Sequence, residues 1–215
     1  QDARNFNVVE MDERNQQSDE LFSEAANAVI EKMFSDLDLD KLMTLIDIIE
    51  ECRDDRTLML WHEDEDKEAV IKDLHFDGGL NDDPEHPQIG VYYSCATSSK
   101  LGWFINIDVE VSDPIINDDG TRSYDVTASF TNTIDEESLK ASLYIIGEDG
   151  GRMRSYIHFF APAGGTISNA VASDGYRLRT NEYQDLEVAY RTVYYIDPDE
   201  TITFTFTVTT AEGVT

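Results

Sequence analysis

Apolar and polar residues follow two different periods along this chain, and the change of period divides it. In the first third, apolar side chains recur every three to four residues, which is the spacing of one face of an α-helix. Ser18 is a good N-cap residue, so we expect a helix from Ser18 to Met33, after an extended or frayed lead-in over residues 1–17. Asp40 is placed to cap a second helix, whose predicted apolar face comprises Leu42, Leu45, Ile46 and Ile49.

The next segment predicts a small α/β unit. Leu58–Trp61 is a short, continuously apolar run, which is typical of a buried strand. Asp64 opens a predicted helix that ends before Gly78–Gly79, and Ile89–Ser94 is the strand expected to pair with Leu58–Trp61. Because the glycine pair follows a helix rather than opening one, a phosphate-binding loop is not predicted.

From Gly102 onward the period is two, which predicts an antiparallel β-sandwich with one wet face on each sheet. The predicted fold class is α+β: N-terminal helices with a small α/β unit in residues 1–100, followed by the sandwich in residues 101–215. The threonines of the last strand are expected to face solvent. The strands are expected at 103–112, 124–131, 141–146, 155–161, 186–195 and 201–209. The predicted core positions are Ile105, Val109, Phe130, Phe204 and Phe206.

Charge narrows the classes of partner. The 215 residues include 45 Asp and Glu against 16 Lys and Arg, for a formal net charge of −29. Such a field repels phosphate backbones and anionic headgroups, so a nucleic-acid partner is not expected and a solvated acidic surface is the preferred interpretation. No apolar run approaches the roughly 20 residues that span a bilayer, so any membrane anchor is expected outside this chain.

The residues that could carry chemistry form no recognisable catalytic motif. His62 with Glu63, Asp64 and Asp66 could form a metal or acid/base cluster, but a polar strand end leading into a capped helix is the preferred interpretation. No catalytic residue and no cofactor is predicted.

An alternating acidic run supplies the candidate metal ligands. An EF-hand loop counted from its first carboxylate would need Gly at position six and Glu at position twelve, where Lys41 and Asp47 stand instead. Helix capping is therefore preferred to cation binding. The candidate ligands are Asp36, Asp38 and Asp40.

Three stretches of the chain, taken in order, carry patterns of apolar packing residues and turn residues that can be compared with a known family. They are Glu50–Arg53; Arg56–Trp61 with Gly78–Leu80; and Gly90–Tyr93 with Ser99–Leu101, Thr131–Thr133 and Phe160–Gly164. Together they resemble the C-terminal half of a bacterial cell-surface family catalogued as domain of unknown function number 4012. None of these stretches is a catalytic signature.

The resemblance implies a location outside the cytoplasm. Members of that family are typically anchored by one N-terminal membrane helix and face the cell wall. Their N-terminal part is similar to the LytR-CpsA-Psr enzymes, which attach polymers to peptidoglycan. By the same resemblance, Arg14 in segment 12–17 would correspond to an Arg that helps to hold a lipid pyrophosphate.

Two functions are consistent with these expectations. The first is an extracytoplasmic cell-envelope module, without catalysis of its own, that presents a surface to a cell-wall polymer or a surface protein. The alternative is the C-terminal fragment of a LytR-CpsA-Psr-like enzyme that transfers lipid-pyrophosphate-linked glycans to the cell wall.

A disulfide between Cys52 and Cys95 follows from that location. Two cysteines in an extracytoplasmic chain favour pairing, although two separately buried thiols remain the alternative. The two sulfurs could meet if the Leu58 and Ile89 strands are antiparallel neighbours. Closing a loop of about 43 residues would stabilise the fold by about 4 kcal/mol in the loop-entropy model.

Overall fold

The computed structural model describes residues 8–35 and 38–213, with side chains from residue 16 onward. The chain divides into two compact units, Gln1–Gly79 and Leu80–Thr215. The first unit is helical and the second contains every strand of the described chain. The division therefore lies ahead of the change at Leu101 expected from the hydrophobic pattern.

The first unit contains the helices α1 (Val8–Phe34), α2 (Leu39–Asp54) and α3 (Glu65–Asp73). Because α1 begins at Val8, the extended lead-in is wrong for residues 8–17, and Ser18 lies inside the helix rather than at its cap. Extending an existing helix through Ser18 costs less than nucleating a new one there. Residues 1–7 lie outside the described residues.

The cap of α2 is Asp38, not Asp40 as predicted. Asp38 has the extended backbone that an N-cap needs, and its carboxylate accepts a 2.9 Å hydrogen bond from the Lys41 N–H. Asp40 lies in the first turn, where its charge still suits the helix dipole. The predicted cap of α3 is confirmed, since the Asp64 carboxylate accepts from the Lys67 N–H.

The predicted strand at Leu58–Trp61 is wrong. The segment has no regular secondary structure, and Trp61 is 78% exposed. Its expected partner, Ile89–Ser94, supplies strand β1 (Gly90–Cys95), which pairs with a strand of the sandwich instead. The small α/β unit expected around α3 is therefore not formed, because Leu58–Trp61 is not a strand and β1 pairs within the sandwich.

The second unit is an antiparallel sandwich of two sheets, which confirms the predicted α+β class with packed sheets. Sheet A has the strand order β1-β5-β8-β7, and sheet B has the order β2-β4-β9-β6 with the two-residue β3 beside β4. The remaining strands are β2 (Ile105–Val111), β3 (Ile115–Ile116), β4 (Arg122–Asn132), β5 (Met153–Phe160), β6 (Thr166–Ala172), β7 (Arg179–Tyr183), β8 (Leu186–Ile196) and β9 (Thr201–Thr209).

One predicted strand is a helix and three strands were not predicted. The segment 141–146 forms the short helix α4 (Leu143–Ile146), which starts after Ser142 and ends at Gly147 in a left-handed conformation. The strands missed by the hydrophobic pattern are the two-residue β3 and the longer β6 and β7. All five residues of β7 are exposed, so β7 lacks the alternation that identifies a half-buried strand.

The core lies between the sheets and is aromatic at its centre. Phe159 of sheet A contacts Phe204 and Phe206 of sheet B, with ring centroids 5.3 and 4.7 Å apart. Phe130 packs edge-on against both Phe159 and Phe204. The predicted core positions Phe130, Phe204 and Phe206 are thus confirmed as buried.

The edge strand β2 departs from the expected burial. Val109 faces the core side by its pairing with buried Ala128, yet it is 42% exposed, and Ile105 is only half-buried. The prediction of Val109 as core is therefore wrong. Ile105 packs against the core at the start of β2, whereas the other residues of this edge strand are exposed.

Candidate functional site

The outward side of sheet A carries a row of aromatic rings that crosses three strands. Tyr92 of β1 pairs with His158 of β5, and His158 pairs with Tyr190 of β8. Because residues directly opposite each other in antiparallel strands point to the same side, the three rings lie side by side. The His158 and Tyr190 rings stack, with centroids 6.1 Å apart and planes 19° from parallel.

A second row lies beside the first and completes a groove. Phe160 contacts Tyr92 edge-on at 5.7 Å and Tyr183 at 6.2 Å between ring centroids. Asn181 of β7 pairs with Val188 of β8, which forms the buried floor. The groove has a volume of about 320 Å³. We call its five rings, Tyr92, His158, Phe160, Tyr183 and Tyr190, the aromatic face.

Gly90 leaves the space that the ring of Tyr92 occupies. A methyl group at position 90 would lie 2.7 Å from Tyr92 Cε2 and 3.1 Å from Phe160 Cβ. Both distances are shorter than ordinary contacts between carbon atoms. The sequence Gly90-Val91-Tyr92 therefore places an aromatic ring across a bare patch of the edge strand, at the wall of the groove.

Polar atoms are few on the aromatic face and are carried mainly by ring tips. Burial lowers the pKa of His158 below its ordinary value, so the imidazole is neutral at pH 7 and offers one donor and one acceptor. The Asn181 amide adds two donors and an acceptor. The arrangement can stack on a ring-shaped ligand and form hydrogen bonds to its edge.

No carboxylate projects from the outward side of the sheet A strands, all of which are described. Glu182 and Glu187 pair with each other at the alternate positions of β7 and β8. The outward positions hold only neutral or basic residues, which is unusual in a chain with a net charge of −29. They include Gly90, Tyr92, Ser94, Arg154, Tyr156, His158, Phe160, Arg179, Asn181, Tyr183, Leu186, Val188, Tyr190 and Tyr195.

A second concave surface lies in the helical unit. Met33, Leu45 and Ile48 line an open groove of about 370 Å³ between the end of α1 and α2. It is built from exposed apolar faces, since α2 contains no buried residue. The groove has fewer converging polar groups than the aromatic face and no ring contacts, so it is the weaker candidate site.

The predicted metal ligands are not brought together in the part of the chain that the structure describes. Asp38 caps α2 and Asp40 lies in its first turn, while Asp36 is outside the described residues. No group of three or more His, Cys, Asp or Glu residues suited to a metal ion occurs among the described residues. Arg14 lies within α1, and its side chain is outside the described residues.

His62 belongs to the capping network that precedes α3. The His62 ring Nδ1 accepts a 2.9 Å hydrogen bond from the backbone N–H of Asp64. The backbone N–H of His62 donates to the Glu68 carboxylate. These contacts satisfy backbone donors at the start of the helix. They support the interpretation of this cluster as a helix entry rather than an acid/base pair.

The two cysteines lie in different units, and both are free thiols in the structure. Cys95 Sγ is 3.1 Å from Thr97 Oγ1. The disulfide between Cys52 and Cys95 stays a prediction.

Sequence reasoning missed the aromatic face, although one signal was present. In β5 the outward positions Tyr156, His158 and Phe160 are as aromatic as the inward ones, so both sides of a surface strand are apolar. A half-buried strand normally has one polar side. What could not be seen was the register of β5 with β1 and β8, because Tyr92 lies 66 residues before its partner His158, and His158 lies 32 residues before its partner Tyr190.

No helix in the described part of the chain has both the length and the apolar character needed to cross a membrane. Comparison with models of known protein families, with curated proteins and with solved structures finds no match to this chain.

Proposed function

We propose that this chain is a non-catalytic, extracytoplasmic module that binds a cell-envelope polysaccharide on the aromatic face of sheet A. The observation that carries the proposal is the groove of about 320 Å³ with its converging rings. It combines an apolar concave surface with a small number of polar groups, which is the usual composition of a ligand site. The membrane anchor expected from the family resemblance would lie outside the chain.

Both the flat face and the edge of a sugar ring are chemically suited to this surface. A pyranose ring presents weakly positive C–H groups on its flat face, and these are attracted to the negative face of an aromatic ring. Its hydroxyl groups lie around the edge, where His158, Asn181 and the tyrosine hydroxyls can form hydrogen bonds. Stacking fixes the plane of the sugar, while the hydrogen bonds fix its rotation within that plane.

The length of the outward side of β5, which continues beyond the aromatic face, favours a chain of sugars over a single sugar. From Arg154 to Phe160 the outward side of β5 extends roughly 20 Å, at about 3.3 Å per residue. The groove is open along the sheet rather than closed over the ligand, so a polymer can run across it.

Affinity electrophoresis in gels that contain soluble cell-envelope polysaccharide tests the proposal. Migration of the protein should be retarded, and Tyr183→Ala should weaken binding about tenfold through loss of one stacking ring, a free energy of about 1.4 kcal/mol. Tyr183 and the control Tyr144 are both more than half exposed, and Tyr144 lies in α4, away from the face. Tyr144→Ala should bind as the parent does.

Two results would contradict the proposal. If no polysaccharide fraction retards the protein, the proposed glycan ligand is ruled out, and a surface protein would then be the partner to seek. Equal weakening by Tyr183→Ala and Tyr144→Ala would show that binding does not use the aromatic face.

A further inference from the structure

The arginines of sheet A divide into two classes. Arg191 forms an ion pair of 2.8 Å with Asp174 and lies between the rings of Tyr176 and Tyr194, 4.3 and 4.2 Å from their centroids. Arg152, just before β5, pairs with Asp197. Both guanidinium groups are thus used by the fold itself.

Arg154 and Arg179 form the other class. Arg154 Nε is buried and has no hydrogen-bond partner in the described structure. Arg179 is exposed on β7, directly opposite Tyr190, and no carboxylate occupies the outward positions around it. In a chain with almost three acidic residues for each basic one, two arginines without an acidic partner on one face need an explanation.

Their placement relates them to the groove. Arg179 extends the cross-strand row formed by Tyr92, His158 and Tyr190 by one strand. Arg154 lies on the same side of β5 as His158, two outward positions further along the strand. One guanidinium therefore stands at the side of the aromatic face and the other beyond its end.

We propose that the polysaccharide bound on the aromatic face is anionic, with sugar carboxylates that pair with Arg179 and Arg154. This inference rests on the proposed glycan-binding function. A guanidinium group presents a planar fork of donors that matches the two oxygens of a carboxylate, as in a uronic acid. A pyranose stacked on Tyr190 would carry its substituents at the ring edge, toward the neighbouring strand where Arg179 stands.

The net negative charge of the protein does not prevent this. Charges separated by more than the Debye length, about 8 Å at physiological ionic strength, are largely screened from one another. The outward strand positions of sheet A hold no carboxylate, so the charged side chains at those positions are the two arginines. Absence of acidic residues from this one face is itself what an anionic ligand requires.

Isothermal titration of the full chain with two matched polymers tests the inference. The probes are a homopolymer of 1,4-linked uronic acid and the same polymer after chemical reduction of its carboxyl groups. We expect the anionic polymer to bind at least tenfold more tightly than the reduced one. The double variant Arg154→Gln, Arg179→Gln should lose at least tenfold in affinity for the anionic polymer and be unchanged toward the reduced polymer. Arg122→Gln, in β4 of the other sheet, controls for loss of one positive charge.

The outcomes distinguish failure of the anionic-ligand inference from failure of the proposed glycan-binding function. Equal binding of the two polymers, or an unaltered affinity in the double variant, overturns the anionic ligand. If Tyr183→Ala still weakens binding in that case, the glycan-binding function stands by itself. If neither polymer nor any envelope polysaccharide binds, both proposals fail. Melting temperatures of the variants, measured in parallel, show whether a loss of affinity reflects loss of fold.

Discussion

The two sheets of the sandwich have similar inner sides and very different outer sides. The outer side of sheet B is a ladder of hydroxyl groups, in which Ser123 contacts Thr209 at 3.0 Å and Thr131 contacts Thr201 at 2.8 Å. The outer side of sheet A carries the aromatic face instead. Both sheets bury their inner sides in one core, so the fold itself requires nothing of either outer side beyond compatibility with a strand.

This contrast distinguishes outer residues that stabilise a strand, such as threonine, from outer residues that the fold does not require, such as the exposed tyrosines. Threonine satisfies an outer strand position at little cost, since it is β-branched and its hydroxyl bonds to a cross-strand neighbour or to water. Partly exposed tyrosines give up part of the gain from burying their rings. Residues that are costly on an outer surface are therefore the ones to test for binding, and those that are inexpensive are the natural controls.

The largest effect should come from the side of sheet B that is shared with the core. Phe204→Ala removes a fully buried ring that contacts Phe130 and Phe159, and it should cost about 3–5 kcal/mol of unfolding free energy. Thr205→Ala, the next residue and an exposed one, should change stability by less than about 0.5 kcal/mol. Denaturant unfolding measures both. Similar losses in the two variants would mean that the strand has no distinct inner and outer side.

Asn132 links the two sheets, and its loss should rank next. Its side-chain amide donates to the carbonyl groups of Gly151 and Ile196, and its oxygen accepts from the Ile134 N–H. Asn132→Ala would leave these buried backbone groups unpaired, at a cost of about 3 kcal/mol. Asn106→Ala, on the exposed edge strand β2, is the matched control and should be nearly neutral. A stability loss below about 1 kcal/mol for Asn132→Ala would show that water replaces the amide.

Gly90→Ala should affect the groove more than the fold. The new methyl group would displace the Tyr92 ring and press on Phe160 Cβ, with an overpacking cost of about 1 kcal/mol. Polysaccharide binding should weaken several-fold, because the displaced ring forms one wall of the groove. Affinity electrophoresis and thermal melts report the two effects separately. Unchanged affinity would place Tyr92 outside the binding surface.

The smallest effect concerns two histidines of the second unit with opposite environments. Burial lowers the pKa of His158, whereas the hydrogen bond that the His86 ring donates to the Asp83 carboxylate raises the pKa of exposed His86. Nuclear magnetic resonance titration should find one midpoint below the ordinary value of about 6.5 and one above it. A shared midpoint near 6.5 would contradict both environments.

The sign of the stability effect follows from these pKa shifts. Between the lowered pKa of His158 and about 6.5, the unfolded chain binds more protons than the folded one, so His158 makes the unfolding free energy fall as pH decreases through that window. His86 acts in the opposite direction. Its stabilising pair with Asp83 is fully present below about 6.5 and is lost as pH rises through its raised pKa.

The hydrophobic pattern was most informative where one side of a strand is buried. It placed β9 at Thr201–Thr209 and identified Phe204 and Phe206 as inward, because alternation is the direct consequence of one-sided burial. It failed for Leu58–Trp61, where an apolar run is left exposed, and for β7, where every residue is exposed. In the first case the apolar pattern and the actual burial disagree, and in the second there is no one-sided burial to produce an alternating pattern.

The candidate site could not be predicted from the sequence, because its residues are brought together by strand pairing. Tyr92, His158 and Tyr190 are far apart in the chain and become neighbours only through strand register. Register depends on which side of each strand meets the core and on the bulge between Ser155 and Ile157, neither of which is local. The pattern could identify the strands but not the surface that their outward residues build together.

The edge strand β2 has a consequence for the colloidal behaviour of the protein. Its partly exposed Ile107, Val109 and Val111 offer a flat apolar template to another edge, while Asp108 and Glu110 project from the alternate positions. Two such edges approaching each other bring like charges together, so the carboxylates act as a kinetic barrier to precipitation. The net charge of the chain falls to zero as the pH approaches its isoelectric point of about 4.1, and the repulsion between molecules is then lost. Light scattering on acidification should therefore record association of still-folded molecules, and Val109→Lys should delay it.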